Sequence, residues 1–167
     1  VIISTNDEEI IAFANGLSAG AKLIIHHRDD SLSSSKTSTD ELVGHAHELC
    51  SMVADDGHIL WTHVTSPFVT SERYSEIVTS YKEALVSGYD SLMSTTMLHA
   101  FLWNESGPTN YDRITEKWPR TQTLKPVHEI NSAAFLAPTA IYSEFNDRIG
   151  ANPRHQPLNK LVALDID

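Results

Sequence analysis

Apolar and polar positions along this chain fall into two alternating kinds of block. Runs rich in β-branched and other apolar residues occur at 1–5 (VIIST), 21–28 (AKLIIHHR), 58–64 (HILWTHV), 91–98 (SLMSTTML) and 127–137 (VHEINSAAFLA). The chain closes on another, LNKLVALDID at 158–167. Each run has the length and residue types of a strand. The segments between them carry helical spacing. NDEEIIAFANGLSAG (6–20) offers Asn6 as a cap, followed by acids at 7–9 that suit a helix N-terminus. The next helix opens on Ser38-x-x-Glu41, a capping-box pattern, and sets Leu42, Ala46, Leu49, Cys50 and Val53 on one stripe. A third, over 70–86, aligns Tyr74, Ile77, Val78, Tyr81 and Leu85, and PTAIYSEFNDRIG (138–150) reads as a short fourth helix. Residues 99–126 keep no period and are rich in Trp, Asn, Gly and Pro.

Strand and helix alternating at this spacing predict one α/β domain over 1–167 with a mostly parallel sheet. Such sheets bind ligands at the carboxyl ends of their strands, where HHR (26–28), HVTSP (63–67) and the terminal DID fall. If the last run is a strand, Asp165 and Asp167, two apart, project from the same face. Carboxylates that close repel unless a proton or cation lies between them, and magnesium prefers such oxygen ligands. A solvated strand end is the alternative reading of the same residues.

Charge narrows the partners. A net charge of −10 and a pI near 5.2 argue against coating a nucleic acid. One cysteine, Cys50, and no apolar stretch of membrane-spanning length lead to the expectation of a cytoplasmic protein away from the membrane. The nine histidines do not form a zinc pattern: His47 and Cys50 lie one helical turn apart with no second pair to complete four ligands. No G-x-S-x-G, G-x-G-x-x-G or Walker sequence is present. What remains is a polar loop, SLSSSKTST (31–39), whose amides and hydroxyls suit phosphate or sugar oxygens. Arg28 ends a strand where a fixed cation would serve a nucleotide, and the fork of Arg120 suits a carboxylate or phosphate. Trp103, Tyr111 and Trp118, close together in the irregular segment, suggest a surface for another subunit.

Taken in order, five segments resemble the acylneuraminate cytidylyltransferases. VIISTNDEEI is similar to the family's V-V-S-T-D-D-E-E-I, and Arg28, Leu32 and the 35–49 stretch to its R-P-x-x-L segment and following helix. HVTSPF resembles Q-P-T-S-P-L, WPRTQTLKPVHEINSAAF the R-Q-x-L-P segment running into N-G-A-x-Y, and LVALDID the D-I-D metal motif. The departures are His63 for Gln, Val64 for Pro, Ser132 for Gly, Phe135 for Tyr, and one extra residue between Arg120 and Leu124.

The resemblance implies a Rossmann-like three-layer nucleotidyltransferase fold, with 99–126 as a projecting dimerisation arm of a homodimer. It implies transfer of CMP from CTP to a nine-carbon α-keto acid sugar, with pyrophosphate released and Mg2+ as cofactor. By the same resemblance Asp165 and Asp167 hold the metal, and Arg120 joins them in catalysis by holding the sugar carboxylate. Arg28, Ser38 and Thr39 lie near the cytidine, and His63, Thr65, Ser66, Gln122, Asn131 and Phe135 line the sugar site. The family's opening strand and its triphosphate-binding loop have no counterpart in the sequence, so a first βα unit of ~30 residues is expected to be missing. Two rival expectations follow: another nucleotidyltransferase or D-x-D glycosyltransferase, and a non-catalytic remnant that keeps sugar binding or dimerisation.

Overall fold

A computed structural model describes residues 1–17, 23–34, 36–54 and 56–166. They form two compact units, one of Val1–Gly57 with Thr139–Asp147, the other of His58–Pro138 with Arg148–Asp167.

In the first unit β1 (Ile2–Thr5) and β2 (Ile24–His27) pair in parallel, Ile2 opposite Ile24 and Thr5 opposite His27. Helix α1 (Glu8–Gly16) is capped by Asp7, whose carboxylate accepts from the amides of Glu9 at 2.8 Å and Ile10 at 3.1 Å. Asn6, the expected cap, donates instead to Asp30. The Thr5 hydroxyl accepts from the Asp7 amide, a local turn that moves the helix start one residue on. The predicted capping box forms at the head of α2 (Thr39–Ser51): Glu41 accepts from the Ser38 amide at 2.7 Å, and Ser38 Oγ accepts from the Glu41 amide at 3.2 Å. The buried face of α2 centres on Val43 and Leu49 and packs on α4 (Thr139–Phe145), leaving Val53, at the end of the predicted stripe, exposed.

The second unit holds β3 (His58–Trp61), α3 (Ser71–Val86), β4 (Ser91–Leu98), the small hairpin β5 (Trp103–Asn104) and β6 (Gly107–Pro108), β7 (Val127–Pro138) and β8 (Pro153–Leu158). Its sheet runs β3-β7-β4-β8. Strand β7 is antiparallel to β3 and β4, and β8 is parallel to β4, so three strands share one direction and β7 opposes them. The described chain is therefore mixed α/β with a mixed sheet. The reversal has a local cause: no crossover helix intervenes between Leu98 and Val127, so the chain comes back beside β4 the other way. Helix α3 covers one face, burying Ile77 and Tyr81 against Leu92, Ala133, Ala134, Leu136 and Leu158. Its apolar spacing is the one expected, and Tyr74, Val78 and Leu85 flank the core.

The closing strand lies earlier than predicted. Strand β8 is PRHQPL, and 159–166 contain no strand. Pro153 and Pro157 disguise it, because proline cannot donate to a ladder. An edge strand that pairs only with β4 tolerates both. Asn159 then turns the chain, its Oδ1 accepting from the Val162 amide at 2.9 Å and its carbonyl from the Ala163 amide at 3.0 Å. Strand alternation thus does not govern Asp165, and Asp167 lies outside the described residues. At the other end of β8, Asp90 accepts from Ser91 Oγ and the Asn152 amide, and a Cβ on Gly150 would run into its carboxylate.

Candidate functional site

Strand β3 stops at Trp61, and its carboxyl end opens into a turn in which the Ser66 amide donates to the His63 carbonyl at 3.3 Å. The Ser66 side chain is buried, and its hydroxyl has no partner among the described residues. The C-terminal segment is tied to this turn: the Ile166 amide donates to the Thr65 carbonyl at 2.9 Å. Asp165 thereby comes close enough for its charge to act on His63. On the other side stands Arg148. Its Nη1 donates to His63 Nε2 at 2.9 Å, and its guanidinium lies 3.8 Å from the Phe135 ring centre and 5.3 Å from that of Trp61. Trp61 also stacks on His63, 6.0 Å between centroids.

Electrostatically the imidazole is pushed toward neutrality. Burial lowers the His63 pKa most, the neighbouring guanidinium lowers it further, and the Asp165 carboxylate acts in the opposite sense. A cleft of about 530 Å³ adjoins, sharing Asp165 and lined also by Thr96, Glu129, Asn131, Ser132 and Lys160. Asn131 is held by the irregularity between Met93 and Thr95. Its Oδ1 accepts from Ser94 Oγ at 2.6 Å and its Nδ2 donates to Thr96 Oγ1 at 3.3 Å.

The structure therefore gathers His63, Thr65, Ser66, Asn131, Phe135 and Asp165 within the second unit. Phe135 is 1% exposed and meets the site through Arg148, which covers its ring. Arg120 and Gln122 are exposed in the segment of the short 3-10 turn Thr121–Thr123, and neither lines the cleft. The nucleotide candidates belong to the first unit: Arg28 donates through Nε to Ser33 Oγ at 3.0 Å, Ser38 is engaged in its capping box, and Thr39 begins α2. Arg148 and Lys160 carried no signal in the sequence, since a lone cation in a loop or an apolar-looking tail has no period to reveal it.

Among the described residues no three His, Cys, Asp or Glu side chains converge on a metal position. Asp165 alone, exposed at the edge of an open cleft, suits an ion that keeps most of its waters, as magnesium does with one or two carboxylates. No helix among the described residues is long and apolar enough to cross a membrane.

A second surface lies in the irregular segment. Arg113 sits over Trp103 at 5.3 Å and Trp118 at 5.5 Å, Phe101 meets Tyr111 and Trp118 edge-on, and Trp103 Nε1 donates to Tyr111 Oη at 2.7 Å. Both tryptophans and Ile114 remain exposed.

Three histidines, His45, His63 and His128, share a lowered pKa with burial as its largest cause. Beside His45, His26 and Arg28 add to the lowering and Glu48 opposes it, while His155 adds to it at His128. In the unfolded chain each titrates near the ordinary value of about 6.5. Folded pKa below unfolded pKa means that the unfolded state binds more protons once pH drops under that value. Their contribution is complete above about 6.5 and is lost as pH falls through the folded values. The urea midpoint is expected to be lower at pH 5 than at pH 7.5, and equal midpoints would refute the linkage.

Neither a protein-family model nor a curated protein matches the chain.

Proposed function

We propose that this protein is a cytidylyltransferase that activates a nine-carbon α-keto acid sugar with CTP. The observation that carries the reading is the hydrogen bond from the Ile166 amide to the Thr65 carbonyl. It brings together two of the five ordered segments of the resemblance, HVTSPF and LVALDID, at the carboxyl end of a strand, where α/β sheets bind ligands. The corresponding fold reading is a Rossmann-like three-layer nucleotidyltransferase.

In the proposed reaction the anomeric hydroxyl oxygen of the sugar forms a bond to the α-phosphorus of CTP. The bond from that phosphorus to the β-phosphate oxygen breaks, pyrophosphate leaves, and the hydroxyl proton passes to solvent. Such transfers are catalysed mainly by positioning and by neutralising charge. Asp165, with Asp167, would hold a magnesium ion, which supplies that neutralisation when bound. The cleft beside Asp165 has room for a sugar of this size, with Asn131 and Ser132 on one wall and Lys160 among its lining residues. The exposed Trp103, Trp118 and Ile114 support a homodimer through 99–126, because exposed apolar patches of this kind mark subunit contacts. A cytoplasmic location accords with a substrate such as CTP and with the single free Cys50.

Pyrophosphate release measured with CTP, Mg2+ and a panel of nine-carbon α-keto acid sugars tests the reading, with UTP run in parallel. Release from CTP is expected to exceed release from UTP by at least about tenfold, a discrimination of about 1.4 kcal/mol. Equal release from UTP would overturn the cytidylyl assignment in favour of a broader nucleotidyltransferase. No release, together with no calorimetric binding of any nucleotide, would overturn the enzyme and leave a sugar-binding or dimerising protein.

A further inference from the structure

We infer that Arg148 is a positioning residue that fixes His63 as an imidazole protonated on Nδ1, making it a one-way hydrogen-bond donor to an acceptor-only oxygen of the ligand. A guanidinium has five N–H donors and no acceptor. At 2.9 Å from Arg148 Nη1, His63 Nε2 must therefore present its lone pair, since a proton there would set two donors against each other. The ring's proton is left to Nδ1.

The guanidinium is in no position to relax away from this demand. It lies against Phe135 at 3.8 Å and Trp61 at 5.3 Å, and these two aromatic residues face each other across the β3–β7 ladder. Phe135 is also paired with Met93 on its other side and is fully buried, so the platform beneath the cation is rigid. Trp61 stacks on the imidazole as well, restricting rotation of the ring itself. Among the described residues, the charged groups that act on His63 are Arg148, from the segment before β8, and Asp165, from the C-terminal segment.

The consequence is chemical. A histidine locked this way has no accessible lone pair, so it does not act as a general base. It offers a single N–H at a strand end, and no described residue accepts from its Nδ1. Beside a permanent cation, that donor favours an anionic oxygen, which can only accept, over a neutral hydroxyl. On the reading proposed above, the group with such oxygens is the carboxylate of the keto acid sugar. Only this ligand assignment rests on that reading; the tautomer does not.

Long-range proton–nitrogen NMR on protein carrying ¹⁵N-labelled histidine reads the tautomer directly, with His63→Gln assigning the signal by its loss. At pH 7.5 the wild type is expected to show a protonated-type Nδ1 and an unprotonated-type Nε2 for His63. A proton on Nε2, or a charged ring, would overturn the inference, and this readout needs no nucleotide. In Arg148→Met the Nε2–H form is expected to appear, with Arg148→Lys restoring part of the wild-type pattern. An unchanged His63 spectrum in a folded Arg148→Met protein would equally overturn it. Titration with N-acetylneuraminate alone is expected to shift the Nδ1–H resonance in the wild type. A sugar that binds without moving it would sink the ligand assignment, while absence of turnover with CTP would bear on the proposed reaction instead.

Discussion

Phe135→Ala is expected to lower the unfolding free energy by about 3–5 kcal/mol, the range for truncating a buried aromatic side chain. The ring is 1% exposed on β7, the strand between β3 and β4, with Trp61 and Met93 as its cross-strand partners. Truncation leaves a cavity that a paired strand on either side cannot collapse to fill. It also removes the face on which the Arg148 guanidinium rests, an interaction of roughly 0.5–2 kcal/mol in its own right. Urea denaturation should show the loss as a shifted midpoint with an unchanged slope. The contrast is Phe13→Ala at a position 71% exposed, where a change within about 0.5 kcal/mol is expected. If both variants lose the same small amount, the packing assigned to Phe135 is wrong.

Asp165→Asn is expected to reduce kcat/KM for CTP-dependent pyrophosphate release by at least about 100-fold, or about 2.7 kcal/mol of transition-state stabilisation, on the proposed reading. The substitution keeps the shape of the side chain and removes its charge, so it tests the metal-holding role directly. Asp165 is exposed at the cleft edge, and its tie to the sheet runs through the backbone amide of Ile166, which the amide side chain leaves intact. The melting temperature is therefore expected to stay within a degree or two, as for other exposed substitutions. Undiminished turnover would remove Asp165 from the metal site. Because the carboxylate opposes the lowering at His63, the same variant should push the His63 pKa further down.

Some of this molecule is readable directly from residue order. The α3 face of Ile77 and Tyr81, the Ser38–Glu41 box and β7 as far as Ala137 follow from local rules: period, capping chemistry and strand-forming content. Three readings went astray for equally local reasons. Thr5 shifted the α1 cap from Asn6 to Asp7, two prolines hid β8, and an apolar tail read as a strand because nothing in LVAL distinguishes a turn that buries only Ala163 from a ladder. The direction of β7 was legible only in what precedes it, the lack of a helical period over 99–126, since a strand's own composition does not record which way its neighbours run.

By itself, then, the sequence determined the capping box of α2, the apolar face of α3, and that oxygen-rich segments follow strands, because each depends on residues only a few positions apart. Tertiary structure alone decided that the Asp165 charge acts on His63, that Arg148 lies over Phe135 and Trp61, and that Asn131 is held by Ser94 and Thr96. Those contacts join residues from 13 positions apart (Phe135 and Arg148) to 102 (His63 and Asp165), and no local periodicity encodes them. They exist because β7 runs back between β3 and β4 and the last residues fold against the turn after β3, a consequence of burying one apolar sheet face under α3.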